Sequence, residues 1–74
     1  MRKRSIRMNQ LTDIYEFVNR ASKVDGDIYL SRGAYVVDAK SLLGVFSIDM
    51  SQAATLSYPE DAVDFEAYVA QFTV

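Results

Sequence analysis

Two segments of the sequence carry apolar residues at helical spacing, and this pattern restricts the chain to a layered fold. The first segment predicts a helix from residue 11 to about residue 23, with an apolar face made of Leu11, Ile14, Phe17, Val18 and Ala21. The second predicts a helix after Pro59, with an apolar face made of Phe65, Tyr68, Val69 and Phe72. Because each helix has only one apolar face, it has to bury that face against another layer of structure.

The composition of the second segment predicts where its helix begins. Pro59 is favoured in the first turn of a helix, where a backbone N–H is not needed. Glu60, Asp61 and Asp64 bring negative charge to the positive end of the helix dipole. We therefore expect this helix to begin at about residue 59.

The stretch "VDAKSLLGVFSIDM", residues 37–50, predicts a short helix over residues 41–47. Ser41 then falls at the N-cap, where its hydroxyl can accept a bond from a backbone N–H one turn into the helix. Helical geometry places Leu42, Val45 and Ile48 on the inward side, and it directs Leu43 and Phe46 elsewhere. Two interpretations follow: all five apolar residues belong to the core, or Leu43 and Phe46 form an exposed docking patch.

The remaining segments have the composition of strands. Residues 28–31 ("IYLS") and 34–38 ("AYVVD") flank a tight turn and predict a hairpin. Residues 52–58 predict a further strand, and residues 2–8 predict the first one. The resulting order β-α-β-β-α-β-α is typical of an α+β open-faced two-layer sandwich, with a four-stranded antiparallel sheet and three helices on one face. We expect residues 1–74 to form a single domain of this kind.

The chain contains neither Cys nor His, and this absence excludes several classes of chemistry. Disulfides, thiolate and imidazole metal sites and Ser-His triads all require one of these residues. No nucleophile and base can be paired in this sequence, so an enzymatic function ranks last, and we expect no metal and no cofactor. No segment is apolar enough for a membrane span or a signal peptide, and we expect a cytoplasmic protein without a membrane partner.

Charge is segregated along the chain, although the net charge is only −2. Positive charge is concentrated at the start, in Arg2, Lys3, Arg4 and Arg7. Negative charge is concentrated near the end, in Glu60, Asp61, Asp64 and Glu66. A basic cluster is one way to contact nucleic acid, but an acidic chain without a second basic face favours a solvated strand edge. We therefore expect no nucleic-acid partner.

The stretch at 37–50, preceded by "EFVNRASKVDGDIYL", resembles HPr, the small phosphocarrier of the bacterial phosphoenolpyruvate:sugar phosphotransferase system. The resemblance extends without a gap from about Gln10 to Ile48. It implies the HPr-like fold for the chain. HPr proteins begin their first helix with a phosphorylatable His, followed by Ala-Arg-Pro, whereas this sequence has Gln10, Leu11, Thr12 and Asp13 there. The Gln10 amide has no basic nitrogen to accept a phosphoryl group, and Thr12 has no guanidinium to hold one, so we expect no catalytic residue.

The resemblance also implies a regulatory role for the short helix. Ser41 matches the Ser that an ATP-dependent kinase modifies in many Gram-positive members of the family, and simple N-capping is the alternative interpretation. Leu43 and Phe46 match positions of the family's partner-binding surface. Three basic residues are expected at the rim of that surface: Lys40, Lys23 and Arg20.

These observations favour a regulatory protein-binding module of the HPr type that does not carry phosphate on a His. The implied partners are proteins, of the HPr-kinase or transcription-regulator kind. The alternative is a structural or scaffolding domain that uses the basic strand around Arg2 to Arg4 as its contact edge. We expect a monomer, with a dimer by exchange of the first strand as the alternative.

Overall fold

The computed structural model describes residues 1–74 and contains four strands, three α-helices and one short 3₁₀ helix. In chain order they are β1 (Arg2–Ile6), α1 (Leu11–Ser22), β2 (Tyr29–Arg32), β3 (Tyr35–Asp38), α2 (Leu42–Ser47), β4 (Ala54–Tyr58), α3 (Val63–Val69) and the 3₁₀ helix (Ala70–Phe72). The predicted order β-α-β-β-α-β-α is confirmed. None of the helices has the length and apolarity needed to cross a membrane.

The strands form one antiparallel sheet in the order β1-β4-β2-β3. Leu30 lies in the middle of the sheet, opposite Leu56 on one side and Val37 on the other. Successive side chains of a strand point to opposite faces, so Leu30 and Leu56 are buried beneath the helices while Ser31 and Thr55 face the open side. The expected two-layer sandwich, with the helices on one face, is therefore confirmed.

The core lies between the sheet and the helices, and all 17 buried residues are apolar or aromatic. Helix α1 contributes Ile14, Phe17 and Ala21, which recur at the predicted spacing. Leu11 departs from the prediction, because it is 58% exposed. It occupies the first position of α1, where the apolar face extends beyond the edge of the core.

Helix α3 begins at Val63, four residues later than its composition predicts. Pro59 instead opens a turn, in which the Ala62 N–H donates to the Pro59 carbonyl at 3.2 Å. The Pro59 ring also packs closely on Gly26, where an added Cβ would lie 3.2 Å from the ring Cγ. Pro59 therefore lies in a turn that packs against the loop after α1, and α3 begins after that turn.

The two charged ends of the sequence meet in the folded chain. The guanidinium groups of Arg2 and Arg4 lie 3.5 and 3.9 Å from a carboxylate oxygen of Glu66. The Tyr58 hydroxyl donates to the same carboxylate at 2.8 Å and accepts from Arg4 Nε at 3.2 Å. Part of the charge segregated along the sequence is thus complementary in the folded chain, where Arg2 and Arg4 of β1 face Glu66 of α3.

Candidate functional site

Helix α2 divides its apolar residues between the core and the surface as its spacing predicts. Ser41 is the N-cap, and its Oγ accepts a hydrogen bond from the Gly44 N–H at 3.1 Å. Val45 and Ile48 are buried, and Leu42 packs half-buried against the core. A Cβ at Gly44 would lie 3.1 Å from the Asp38 carbonyl, so α2 approaches the end of β3 closely at that position.

Four exposed apolar side chains on α1 and α2 form what we call the α1–α2 apolar patch: Leu11, Tyr15, Leu43 and Phe46. Leu43 is 83% exposed and Phe46 is 42% exposed. The rings of Phe46 and Tyr15 meet edge to face, with their centroids 5.9 Å apart. This contact joins the two helices across the surface.

A shallow groove of about 220 Å³ runs beside Phe46, between the start of α1 and the end of α2. Its floor is apolar and includes Met8, Ile14 and Ile48. Asp49 is the charged residue in its wall, and hydrogen bonds from the Ser51 hydroxyl and N–H lower the pKa of that carboxyl. The groove can therefore accept an apolar side chain and offers one carboxylate at its rim.

Sequence reasoning identified Leu43 and Phe46 but missed Leu11 and Tyr15. The sequence pattern predicts Leu11 on the buried face of α1, and it predicts no role for Tyr15, which follows Ile14 of that face. The available signal was their spacing, because residues four apart lie on the same side of a helix. Only the packing of α2 against α1 shows that this side borders Phe46.

The three basic residues expected at the rim occupy different surroundings. Lys40 is half-buried, and its ammonium donates to the Val24 carbonyl at 2.6 Å, near the end of α1. Arg20 faces α3, where its guanidinium carbon lies 4.5 Å from the centre of the Tyr68 ring and a guanidinium nitrogen lies 3.2 Å from Glu16. Lys23 is the exposed C-cap of α1. The structure therefore joins Lys40 to the end of α1 and turns Arg20 away from α2.

No His stands at the start of α1, so no imidazole nitrogen there can accept a phosphoryl group. Gln10 is the N-cap residue, and its side chain makes no capping hydrogen bond. It borders a cleft of about 340 Å³ with Arg7, Asp13 and the last residues of the chain. Arg7, which belongs to the N-terminal basic cluster of the sequence, lines this cleft, and its backbone N–H donates to the Phe72 carbonyl at 3.0 Å. No group of three or more His, Cys, Asp or Glu side chains is close enough together to hold a metal ion.

Two of the three basic residues of strand β1 form ion pairs within the chain. Arg2 and Arg4 pair with Glu66, and Arg4 also donates to the Thr73 hydroxyl at 2.9 Å. Lys3 makes no ion pair or side-chain hydrogen bond, and it lies on the open face of the sheet opposite Ser57. A partner that bound this edge would meet one free cation where the sequence counts three.

Comparison with solved structures identifies the architecture. HPr-C-His from Thermoanaerobacter tengcongensis superposes with a TM-score of 0.78 at 24% sequence identity, over 96% of this chain and 89% of that one. The phosphocarrier protein HPr from Bacillus anthracis str. Ames gives a TM-score of 0.73 at 21% identity, over 99% of this chain and 96% of that one. The chain has the HPr-like fold. No protein-family model matches the sequence, and neither does any curated protein.

The HPr-like fold explains why helices α1 and α2 border one another. Its β1–α1 connection places Gln10 at the start of α1, and its β3–α2 connection places Ser41 at the start of α2. Phe46, near the end of α2, then meets Tyr15 of α1. At 24% and 21% identity the likeness concerns the arrangement of the elements, and the side chains are those of this sequence alone.

Proposed function

We propose that residues 1–74 form a single, non-enzymatic protein-binding domain of the HPr type, which acts in the cytoplasm of a bacterium. Its partners dock on the α1–α2 apolar patch. It does not relay phosphate through a His, because Gln10 stands at the start of α1 and the chain has no His at all. The observation that carries the proposal is the exposure of the patch, above all Leu43 at 83%.

Exposure of this kind supports a contact surface for a physical reason. Leaving a large apolar side chain in water costs about 1.5–3 kcal/mol relative to burying it. Leu43 and Phe46 stand on a six-residue helix whose other apolar residues, Leu42 and Val45, pack against or within the core, so a polar residue at either exposed position would leave the core unchanged. Aromatic anchors beside a groove are also the features on which binding energy is concentrated at interfaces.

Partners of the HPr-kinase or transcription-regulator kind fit the proposed module, because the solved structures that it resembles are phosphocarrier HPr proteins. The proposal departs from those proteins in one respect. The amide of Gln10 can donate and accept hydrogen bonds but cannot form the phosphoramidate that a relay requires.

Ser41 is the proposed switch of this surface. Its Oγ lies at the start of α2, where it accepts a hydrogen bond from the Gly44 N–H. A phosphate on this oxygen would therefore meet the backbone N–H groups of the first turn, and α2 would stay folded. The modification adds about −2 of charge beside the exposed Leu43. Partners with Arg or Lys at their contact surface would then bind more tightly, and acidic partners would be repelled. Lys40 and Lys23 are the proposed rim charges, with Lys40 next to the switch, whereas Arg20 faces Tyr68 of α3 and lies outside that rim.

The docking surface is tested by titrating the isotope-labelled chain with an HPr serine kinase and with an HPr-binding transcription regulator, observed by NMR. We expect amide shifts on α1 and α2, and we expect Leu43→Ser to weaken binding at least tenfold. Val63→Ser is the matched control, because Val63 is 64% exposed on α3, away from the patch. The proposal is overturned if Leu43→Ser leaves the affinity unchanged and neutralisation of Arg2, Lys3 and Arg4 abolishes binding. That outcome would favour a scaffolding domain that uses β1.

The phosphorylation state is tested by intact-mass spectrometry in two reactions. One contains phosphoenolpyruvate and the first enzyme of the phosphotransferase system, and the other contains ATP and an HPr serine kinase. We expect one added phosphate in the second reaction only, absent from Ser41→Ala and retained in Ser47→Ala, a second Ser of the same helix. A gain with phosphoenolpyruvate would contradict the non-carrier function, and no gain with ATP would leave Ser41 as an N-cap.

A further inference from the structure

The two edges of the sheet are protected to very different degrees. The β1 edge carries Arg2, Lys3 and Arg4, and the end of the chain lies against it, with the Val74 N–H donating to the Ser5 carbonyl at 3.0 Å. The β3 edge carries Tyr35, Val36, Val37 and Asp38 and has no Lys, Arg or Pro. Exposed strand edges without such residues are open to pairing with another chain.

The turn between β2 and β3 determines which backbone groups of β3 are used inside the sheet. It consists of Gly33 and Ala34, and the φ of +59° at Gly33 fits the first central position of a type II′ turn. In a two-residue hairpin the flanking pair, here Arg32 and Tyr35, exchanges both backbone hydrogen bonds. Tyr35 therefore directs its N–H and its carbonyl toward β2.

Every second residue of an antiparallel strand repeats this orientation. Val37 lies opposite Leu30 in the register, and farther along the Ala39 N–H donates to the Ile28 carbonyl at 2.9 Å. Val36 lies between the residues that face β2. Its N–H and its carbonyl consequently point out of the sheet, and the side chain is 60% exposed.

We propose that a second copy of this chain pairs with β3 in antiparallel orientation, centred on Val36. The Val36 N–H of each copy donates to the Val36 carbonyl of the other, which gives a reciprocal pair of hydrogen bonds. The outward Asp38 N–H of each copy then faces Ala34 of the other. The Asp38 carbonyl is already used, because it accepts from the Ser41 N–H at 3.1 Å.

The side chains brought together by this pairing are complementary. On the open face of the sheet, Val36 of one copy lies beside Val36 of the other. On the helix face, Tyr35 of each copy lies opposite Val37 of the other, and aromatic residues pair favourably with β-branched residues across strands. Asp38 lies opposite Ala34, so the two Asp38 carboxylates do not meet. The 51% exposed Tyr35 and the 60% exposed Val36 both lose contact with water.

Antiparallel pairing about one residue places the two-fold axis perpendicular to the sheet. The sheets of the two copies then continue into one another, and the helices of both copies lie on the same side. Because β3 has only four residues, the joint is small, and we expect a weak dimer that forms with rising concentration. This interface is separate from the α1–α2 apolar patch and leaves Leu43 and Phe46 exposed.

Sedimentation equilibrium of the full chain tests the pairing. We expect the average mass to rise from 8.3 kDa toward twice that value as the concentration approaches about 1 mM, where even a weak dimer is populated. Val36→Lys should abolish the rise, because two cations would face each other across the axis. Thr55→Lys on the open face is the control that adds the same charge within a central strand and should leave the rise unchanged.

Hydrogen exchange locates the contact independently of the fold of the variants. In the wild-type chain we expect the Val36 amide to exchange more slowly at high concentration, and the Lys3 amide in β1 to exchange at a constant rate. A chain that remains at 8.3 kDa throughout would overturn the proposal. So would a dimer that protects β1 in place of β3, since that outcome indicates exchange of the first strand.

Discussion

Replacement of Tyr68 by Phe should stabilise the protein. Tyr68 lies on α3, where its ring packs edge to face on Phe72 at 5.6 Å and beneath the guanidinium of Arg20 at 4.5 Å. Its hydroxyl is buried and has no hydrogen-bond partner. Tyr68→Phe removes that hydroxyl and keeps the ring, so all of the packing contacts remain.

The size of the effect follows from the state of the hydroxyl. Burying a polar group without a partner costs about 1–3 kcal/mol, and Tyr68→Phe removes this cost. Because Tyr68 is half-buried, we use the lower end of this range and expect the free energy of unfolding to rise by about 1 kcal/mol. In a domain of this size such a gain corresponds to about 4–8 °C in melting temperature.

Tyr58→Phe is the matched control, because it is the same chemical change with the opposite expected sign. The Tyr58 hydroxyl donates to Glu66 at 2.8 Å and accepts from Arg4 at 3.2 Å. Its removal should lower the free energy of unfolding by about 1.5 kcal/mol, as expected for a hydrogen bond to a charged group. Urea denaturation of both variants at neutral pH measures the difference. Equal destabilisation of the two variants would refute the reasoning.

The pH dependence of stability gives a second measure of the same site. Burial, followed by the carboxylate of Glu16, raises the pKa of Tyr68 from 10.0 to about 12. The unfolded chain then releases this proton near pH 10 while the folded chain retains it up to about pH 12, so stability falls with rising pH in this window. We expect the advantage of Tyr68→Phe over the wild type to widen above pH 10.

Three further predictions concern the ends of α2. Arg32→Ala should lower the free energy of unfolding by about 2 kcal/mol in urea denaturation, because the guanidinium donates to three backbone carbonyls of the loop at residues 49–53, and Arg32→Lys should recover only part of the loss. Ser41→Ala should cost about 1 kcal/mol in thermal denaturation through loss of the N-cap, whereas Ser41→Asp should retain most of the stability. In Ser51→Ala the lowered pKa of Asp49 should move back toward its ordinary value in an NMR titration, because the Ser51 hydroxyl is the main cause of the shift; an unchanged pKa would contradict that assignment.

The local sequence pattern predicts which helices and strands form, but it does not predict where each of them begins. The spacing of Ile14, Phe17 and Ala21 predicts α1 because those side chains respond to a single neighbouring layer. The predicted start of α3 was wrong: Pro59 lies in a turn before the helix and packs against Gly26, more than thirty residues earlier in the chain. Such a contact leaves no trace in the periodicity of either segment.

The candidate site shows the same division. The N-cap at Ser41 and the exposure of Leu43 follow from helical geometry alone, and both are confirmed. The addition of Tyr15 to the patch depends on the angle between two helices, and the pairing of Arg2 with Glu66 depends on the register of β1. Both contacts form only when the sheet and helices have assembled. The sequence pattern therefore identifies the residues but does not show that they lie close together.

The backbone contact between β1 and the last residues has a topological consequence. Thr73 bridges Ile6 in antiparallel orientation, and Val74 is held at Ser5, so continuation of the chain would run back along β1 toward Met1. Four residues of strand separate Ser5 from Met1, which is roughly 13 Å. A linker of about four or five residues would therefore close the backbone into a ring. The order of elements could then be permuted by opening the ring at an exposed loop, with every contact of the sheet retained.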